Sequence, residues 1–418
     1  MRAPSRSEEP ELSRHPLLAE RHAQISPLQE REVSRPAVQE VARALEQWGW
    51  ARSWAGPDPY DGLNATRMPS AVRKSPLGRR ILIQTVKRSP LDVRPLLGVP
   101  QGLSAASLGL LLSAYARNGF LEPDEARAKL NRCVELLSEL RCSQYPEPSW
   151  SYHFDVQTRV FFYSKTTPNT IATAFVGLGL LDAYELAGDR EALELATGAG
   201  EFFLRRIPQT PDGAGTYFGY LPGDTVAIHN ANMLVCALLA RLARSLGRED
   251  LRRAARSAVA YTLSRQRPDG SWPYGERRDL RWVDSFHTGY VLDCLLTCTE
   301  CGISSPGAEE AWRRGLHFYA THLIEPDGTP RYTPQSRYPV DGQCAAQAIE
   351  TLSRAAAREP GLAEGRYQVF DYTRARLARG DGAFLFQRRR FWVNRACHPR
   401  WVQAPMLRAL ALLIETTQ

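Results

Sequence analysis

The sequence predicts an all-α fold, an (α/α)6 toroid (a six-hairpin barrel) with long polar loops at one end. Three observations point to it. Asp-Gly recurs at Asp212-Gly213, Asp269-Gly270, Asp327-Gly328 and Asp381-Gly382, at steps of 57, 58 and 54 residues. Each pair is followed by an aromatic residue (Tyr217, Trp272, Tyr332, Phe384) and then by a new apolar helix. A fixed period of about 50–60 residues marks units that stack to share one core, and two helices plus a long loop fill it. Helices also alternate in character. Those starting near 103, 169, 229, 287, 341 and 401 are rich in Ala, Gly and Leu, as inner helices should be, and their partners carry Arg and Glu on one face, as an outer ring should. Finally, 418 residues can bury one large core.

Taken in order, residues 1–35 lack apolar periodicity and are expected to be a disordered tail, with the toroid occupying 36–418. Residues 37–50 form an amphipathic helix. The loop Asp58-Pro59-Tyr60-Asp61-Gly62-Leu63-Asn64 reads either as a surface turn or as a flap over a pocket mouth. From 101 onward helices pair, at 103–117 and 123–140. Between 143 and 169, alternation of Trp150, Tyr152, Phe154 and Val156 suggests a short strand, with Ser151, His153, Asp155 and Gln157 on its other face. Further helices are expected near 169–187, 190–206, 229–246, 249–266, 287–302, 308–323, 341–357, 366–379 and 401–416.

On this reading no apolar run reaches the roughly 18 residues needed for a membrane span, and no leader pattern is expected at the N-terminus, so the expectation is a cytoplasmic protein without a membrane span. Eight cysteines show no CxxC pair, and four (Cys133, Cys236, Cys294, Cys298) sit inside apolar helical runs, which suits buried thiols. The net charge is +8, from 49 arginines and only four lysines (Lys74, Lys87, Lys129, Lys165). Dispersed arginines without a recognition motif argue against nucleic acid. They fit either a compositional bias or an anionic ligand held by guanidinium forks.

Parallel inner helices place their N-termini, and the loops feeding them, at one end of the ring. The candidate catalytic residues there are His287, Asp284, Asp341 and His229. The candidate sugar-binding residues are Trp150, Tyr152, Asp155, Gln157, Arg159, Asn169, Asn230, Asn232, Trp272, Tyr274, Glu276, Trp282, Gln343 and Trp401. Aromatic faces stack on the C–H faces of a sugar ring, while amides, carboxylates and guanidinium groups meet its hydroxyls. Asn169, Asn230, Asp284 and Asp341 are equally suited to cap helices. Asp284 and Asp341 would serve a glycosidase. His287 or His229, with Arg159 or Arg281 as a carboxylate clamp, would serve a lyase or epimerase acting on a uronic acid. No cofactor or metal is expected. The alternative is a zinc set from Cys344, Cys397 and His398 with His287.

The segment LSRQRPDGSW resembles the QW-type repeat of the terpenoid cyclase and prenyltransferase superfamily, which is built on α/α toroids. Phe286-His287-Thr288-Gly289-Tyr290 and Val340-Asp341-Gly342-Gln343-Cys344 are similar to the zinc-ligand segments of protein prenyltransferase β subunits, here in reversed order. Cys397-His398 resembles the Cys-His of lanthionine cyclases, with Pro399 in place of their glycine. A broader resemblance, over about residues 55–350, is to bacterial toroid proteins associated with polysaccharide-biosynthesis loci. It is carried by Asp58–Leu63, Trp150–Arg159, Thr167-Pro168-Asn169-Thr170, His229–Asn232, Asp269–Glu276 and Trp282–Tyr290. That resemblance implies a glycan or sugar-intermediate substrate and association with polysaccharide assembly enzymes. It implies no particular reaction.

Overall fold

The computed structural model describes residues 33–303 and 305–417. Residues 1–32 of the expected tail lie outside the described residues, and helix α1 (Arg35–Trp50) already begins at Arg35. After it come three short collar helices, α2 (Ser70–Lys74), α3 (Pro76–Arg88) and α4 (Arg94–Leu97). The remaining helices alternate between two rings. The inner ones are α5 (Ala105–Arg117), α7 (Thr170–Ala187), α9 (His229–Leu246), α11 (Ser285–Glu300), α13 (Gly342–Ala355) and α15 (Ala404–Thr416). The outer ones are α6 (Pro123–Glu139), α8 (Arg190–Arg206), α10 (Glu249–Ser264), α12 (Ala308–His322) and α14 (Ala363–Arg376).

Each inner helix packs on the next, and α15 packs back on α5, so six inner helices close a ring. Each of the first five also packs on the outer helix that follows it. The sixth, α15, finds its outer partner at the other end of the chain, in α1. The amphipathic α1 buries Val38, Ala42, Leu45 and Trp48 there. Gln39 Nε2 and Arg43 Nε donate to the carbonyls of Gly119 and Phe120, fixing its first turns beside the α5–α6 corner.

The Asp-Gly repeat has a structural cause. Gly270 and Gly382 lie at φ +88° and +90°, a conformation that side chains resist. A Cβ on Gly270 would strike the Arg314 carbonyl of α12, and one on Gly382 the Ala44 carbonyl of α1. The turn therefore seats against the neighbouring outer helix, and at Gly382 that neighbour is α1. Asp269 and Asp381 close their turns by accepting the backbone N–H two residues on.

Inner helices are buried around most of their circumference; α9 buries residues from His229 through Ala243. Helix α7 corrects the expectation that no apolar run is long enough to cross a membrane. Its 18 residues have a mean hydropathy of 1.3, but 72% of them are buried within the ring, as befits a core helix. All eight cysteines are free, and six are buried.

Strands are short. β1 (Val156–Gln157) pairs with β2 (Phe162–Tyr163), and β3 (Gln209–Asp212) with β4 (Gly215–Phe218), all antiparallel. β5 (Val340–Asp341), β6 (Gln387–Arg388) and β7 (Val393–Asn394) form an antiparallel three-stranded sheet in the order β5-β6-β7. The stretch 150–156 keeps the expected alternation of burial, yet ladder pairing begins only at Val156. Residues 64–100, in which no helix is expected from the sequence, fold as a collar around a small core of Leu63, Leu82, Ile83 and Val86. Helix α15 starts at Ala404 rather than near 401, because Pro399–Gln403 form a wider π-type turn.

Candidate active site

The loops that feed the inner helices are locked to them in a repeating way. The first N–H groups of α7, α9, α11 and α13 donate to the carbonyls of Tyr220, Tyr274, Tyr332 and Phe386 at 2.9–3.0 Å. Orphan donors at each helix start are thereby satisfied by the next loop, which delivers an aromatic ring to the mouth of the barrel.

The centre of this mouth is His287. Asp284 caps α11, its Oδ1 accepting the His287 N–H at 3.1 Å. Its Oδ2 lies 2.7 Å from His287 Nδ1 and accepts the Trp282 indole N–H at 3.0 Å. Asp284 is buried, whereas the His287 side chain keeps 21% of its surface exposed. Among the described residues its Nε2 has no hydrogen-bond partner. Rings surround it: Phe286 at 4.0 Å and Tyr274 at 4.5 Å between centroids. Tyr274 stacks on Trp282 at 4.6 Å, and the Arg159 guanidinium lies 5.6 Å from the Trp282 ring.

The facing wall comes from the two ends of the chain. Trp401 meets Phe286 and Tyr60 edge-on, each at 5.4 Å. Lys87 donates to the Tyr60 hydroxyl at 2.7 Å and its ammonium sits 4.2 Å from that ring. Among the described residues no carboxylate lies within ion-pair range of Lys87. Arg400 grips Asp58 with two hydrogen bonds of 2.5 and 2.8 Å and lies over Tyr152 at 4.7 Å. Burial works against the Asp58 charge, but the Arg400 guanidinium outweighs it and holds the carboxyl below its ordinary range. Tyr152, Tyr163 and Tyr220 are buried behind this pair, and the Tyr163 hydroxyl has no partner. Burial pushes all three phenols well above their usual range, so they are neutral donors.

The other expected site residues are mostly committed to the scaffold. Asp341 caps α13: Oδ1 accepts from the Gln343 N–H and the Trp401 indole, and Oδ2 from Gln387. Burial raises its pKa. His229 is buried with Nε2 on Glu276 at 2.8 Å and Nδ1 facing Thr262, so neither nitrogen is open; that bond holds Glu276 below its ordinary pKa. Trp150 and Trp272 are core residues, not stacking platforms, because their indoles donate to the carbonyls of Leu137 and Thr262 at the ends of outer helices. Asn232 ties Phe218 and Ala258 together. Asp155 accepts from the Lys165 N–H, and Gln157 from Arg79. Gln343 donates to the Tyr290 hydroxyl beneath the mouth. Asn169 caps α7, yet its Nδ2 and the Asn230 Oδ1 are buried without partners. Arg281, the alternative clamp, is exposed and bound to the Glu276 carbonyl. Arg159 is exposed as well.

Cys344, Cys397 and His398 do not converge. Cys344 is buried, Cys397 lies against Arg379, and His398 bonds the Pro57 carbonyl. Among the described residues no group of three His, Cys, Asp or Glu could hold a metal ion.

Tyr60, Lys87, Tyr163 and Tyr220 belong to this mouth without having been singled out as binding residues, whereas Arg400 is a residue expected to line the cavity. Of those four, only Tyr60 carried a signal, in the turn-rich Asp58–Asn64 loop.

No protein-family model matches the sequence, and no curated protein matches it. Solved structures do resemble it in shape. Cellobiose 2-epimerase from Bacillus thermoamylovorans aligns over 75% of this chain and 88% of its own, with a TM-score of 0.59 and 10% identity. A family 76 α-mannanase from Bacteroides thetaiotaomicron aligns over 74% and 86%, with a TM-score of 0.57 and 13% identity. A family 88 glycosyl hydrolase from Bacteroides vulgatus aligns over 92% and 99%, with a TM-score of 0.59 and 9% identity. The likeness is one of fold.

Proposed function

We propose that this protein is a carbohydrate-active enzyme of the lyase or epimerase type, acting on an acidic glycan in the making or modification of a bacterial surface polysaccharide. The observation that carries this reading is the His287–Asp284 pair: an imidazole held through Nδ1 at 2.7 Å, with Nε2 open to an aromatic-walled mouth. An imidazole oriented through one nitrogen and open at the other has the geometry of a general base. Toroids of this shape include an epimerase and two glycosidases, which supports a sugar substrate.

In the reading offered, Nε2 removes the proton on the carbon next to a uronate carboxylate. The electron pair passes into that carboxylate as an enolate, and Lys87 supplies positive charge beside it. Delivery of a proton from solvent water to the opposite face of that carbon, with His287 passing its own proton to water, gives the epimer. Expelling the glycosidic oxygen from the neighbouring carbon, the proton on His287 Nε2 passing to it, gives an unsaturated sugar and a free hydroxyl. Asp284 orients the imidazole and stabilises its charged form. Trp282, Tyr274 and Trp401 offer rings for stacking. A glycosidase mechanism fits less well, because it requires two available carboxyl groups, and the oxygens of Asp284 and Asp341 are already occupied by capping and side-chain bonds.

The test is NMR of uronate oligosaccharides incubated with the protein in deuterated water. Solvent deuterium should enter at the carbon beside the carboxylate, and His287→Ala should abolish the exchange while its thermal unfolding stays near that of the parent. Absence of exchange across a panel of uronate glycans, or exchange that persists in His287→Ala, would overturn the assignment. Prenyl diphosphates in a parallel thermal-shift series address the isoprenoid alternative. A shift with those alone would replace this reading.

A further inference from the structure

The collar of residues 64–100 and the β6–β7 hairpin concentrate the charge of the whole chain. Residues 64–100 contain eight Lys or Arg and one acid, Asp92; residues 387–400 contain five arginines and no acid. The net charge of the chain is +8, so the excess of cations resides here. Elsewhere acids are plentiful and many arginines are paired, as Arg206 is with Glu147 and Arg241 with Asp182. Among the described residues Arg67, Arg80, Arg88, Arg388, Arg390 and Arg395 have no acidic partner. Burial and the neighbouring Arg88 together lower the pKa of Arg389, a sign of crowded like charge.

The same two segments carry the most exposed apolar side chains of the described residues: Phe391 at 87%, Leu91 at 76%, Leu96 at 74%, Leu77 at 66% and Ile81 at 57%. On α3, Leu77, Ile81, Gln84 and Arg88 follow one another at intervals of four, three and four, so they share the outward face. The hairpin is fastened beside them, since Asn394 Nδ2 donates to the carbonyls of Lys87 and Ser89 at 3.3 Å. Phe391 stands at the hairpin tip with the Arg390 guanidinium over its ring at 5.2 Å. Separate apolar prongs set among unpaired cations are what an anionic headgroup layer accepts. The prongs enter the acyl boundary while the cations stay with the phosphates. A soluble acidic glycan would answer the cations but has no use for five exposed apolar side chains.

We propose that this collar docks on the surface of an anionic phospholipid bilayer. The inference stands apart from the reaction proposed above, because none of its apolar prongs lines the His287 mouth. Its test is co-sedimentation of the full chain with vesicles of phosphatidylcholine alone and of phosphatidylcholine mixed with phosphatidylglycerol. Binding should appear with the anionic vesicles and weaken as salt is raised. Arg388→Gln and Arg390→Gln should each lower the partition coefficient about fivefold. Phe391→Ser and Leu91→Ser should lower it further with unchanged melting temperature, both side chains being exposed. Failure to bind anionic vesicles at low salt would overturn the proposal. So would equal binding by all four variants, or a dimer in sedimentation velocity that Phe391→Ser dissolves, which would make a second copy the occupant. Capture of a soluble acidic polysaccharide without vesicle binding would likewise overturn it.

Discussion

The two ends of the ring use charge in opposite ways. At the end away from the mouth, a cavity of about 170 Å³ is walled by Arg117, Asp182, Arg241, Asp293, Glu350 and Arg408. Here nearly every charge is answered. Asp182 lies 2.8 Å from both Arg117 and Arg241, Arg408 reaches Glu350 at 2.6 Å, and Asp293 accepts from Gln347 and Thr351. At the mouth, His287 has an open nitrogen, Lys87 has no carboxylate, and Tyr163, Asn169 and Asn230 hold buried polar atoms without partners. A saturated network holds a ring together. An unsaturated one waits for a ligand, since buried polar groups left unpaired carry a cost that a bound molecule can relieve.

That contrast can be broken by exchanging its terms. Asp182→Ala would remove the buried carboxylate that Arg117 and Arg241 share, leaving them only the more exposed Glu415 and Glu185, and should cost about 3 kcal/mol of stability, read as a large drop in denaturant midpoint. Activity per folded molecule should change little. His287→Gln should do the reverse, lowering kcat/KM on an acidic glycan by about 10²–10⁴-fold with a nearly unchanged midpoint. If both variants lost stability alike, the division between the two ends would fail.

A smaller effect is expected at Lys87. Lys87→Gln should raise KM for a uronate oligosaccharide about tenfold, a loss comparable to one charged hydrogen bond, while binding of the neutral counterpart changes little. Steady-state kinetics on matched acidic and neutral substrates would measure it.

The smallest concerns pH. Burial depresses His153 to about 4 and His398 to about 3, the latter also opposed by Arg94. Both rings are neutral in the folded state, whereas the unfolded chain binds protons below about pH 6.5. Their contribution to stability is therefore complete above pH 6.5 and is lost progressively as pH falls toward 4 and 3. Both flank the Asp58–Arg400 pair, so hydrogen exchange at residues 57–62 and 398–400 should quicken over that interval. His398→Gln should flatten part of the response.

Much of the ring was legible in the sequence because its causes are local. Three of the four Asp-Gly turns, at Gly270, Gly328 and Gly382, hold a left-handed glycine, and inner helices need small side chains, so both leave a period. Asp284 and His287 were legible together for the same reason, since capping spacing brings a carboxylate onto an imidazole three residues on. Of the facing wall, Trp401 and the loop carrying Tyr60 were legible, but the contacts that assemble it were not. Arg400 meets Asp58 across 342 positions of chain, and Lys87 reaches Trp401 only because the collar folds on its own small core. Polar residues at helix starts, such as Asp341 and Asn232, carry one composition whether they bind a ligand or hold a loop. Closure of the ring decides which.

The pairing of α1 with α15 bears on how the molecule is made. Helix α1 leaves the ribosome well before α15 and has to wait for it before its apolar face is covered, so five hairpins can assemble while the sixth stays open. Arg35 begins the one and Thr416 ends the other. A covalent link between them would turn the sixth hairpin into an ordinary one and move the beginning of the protein elsewhere on the circle, for instance to the open turn at Gly188. In topological terms the ring has no first repeat; synthesis alone assigns one.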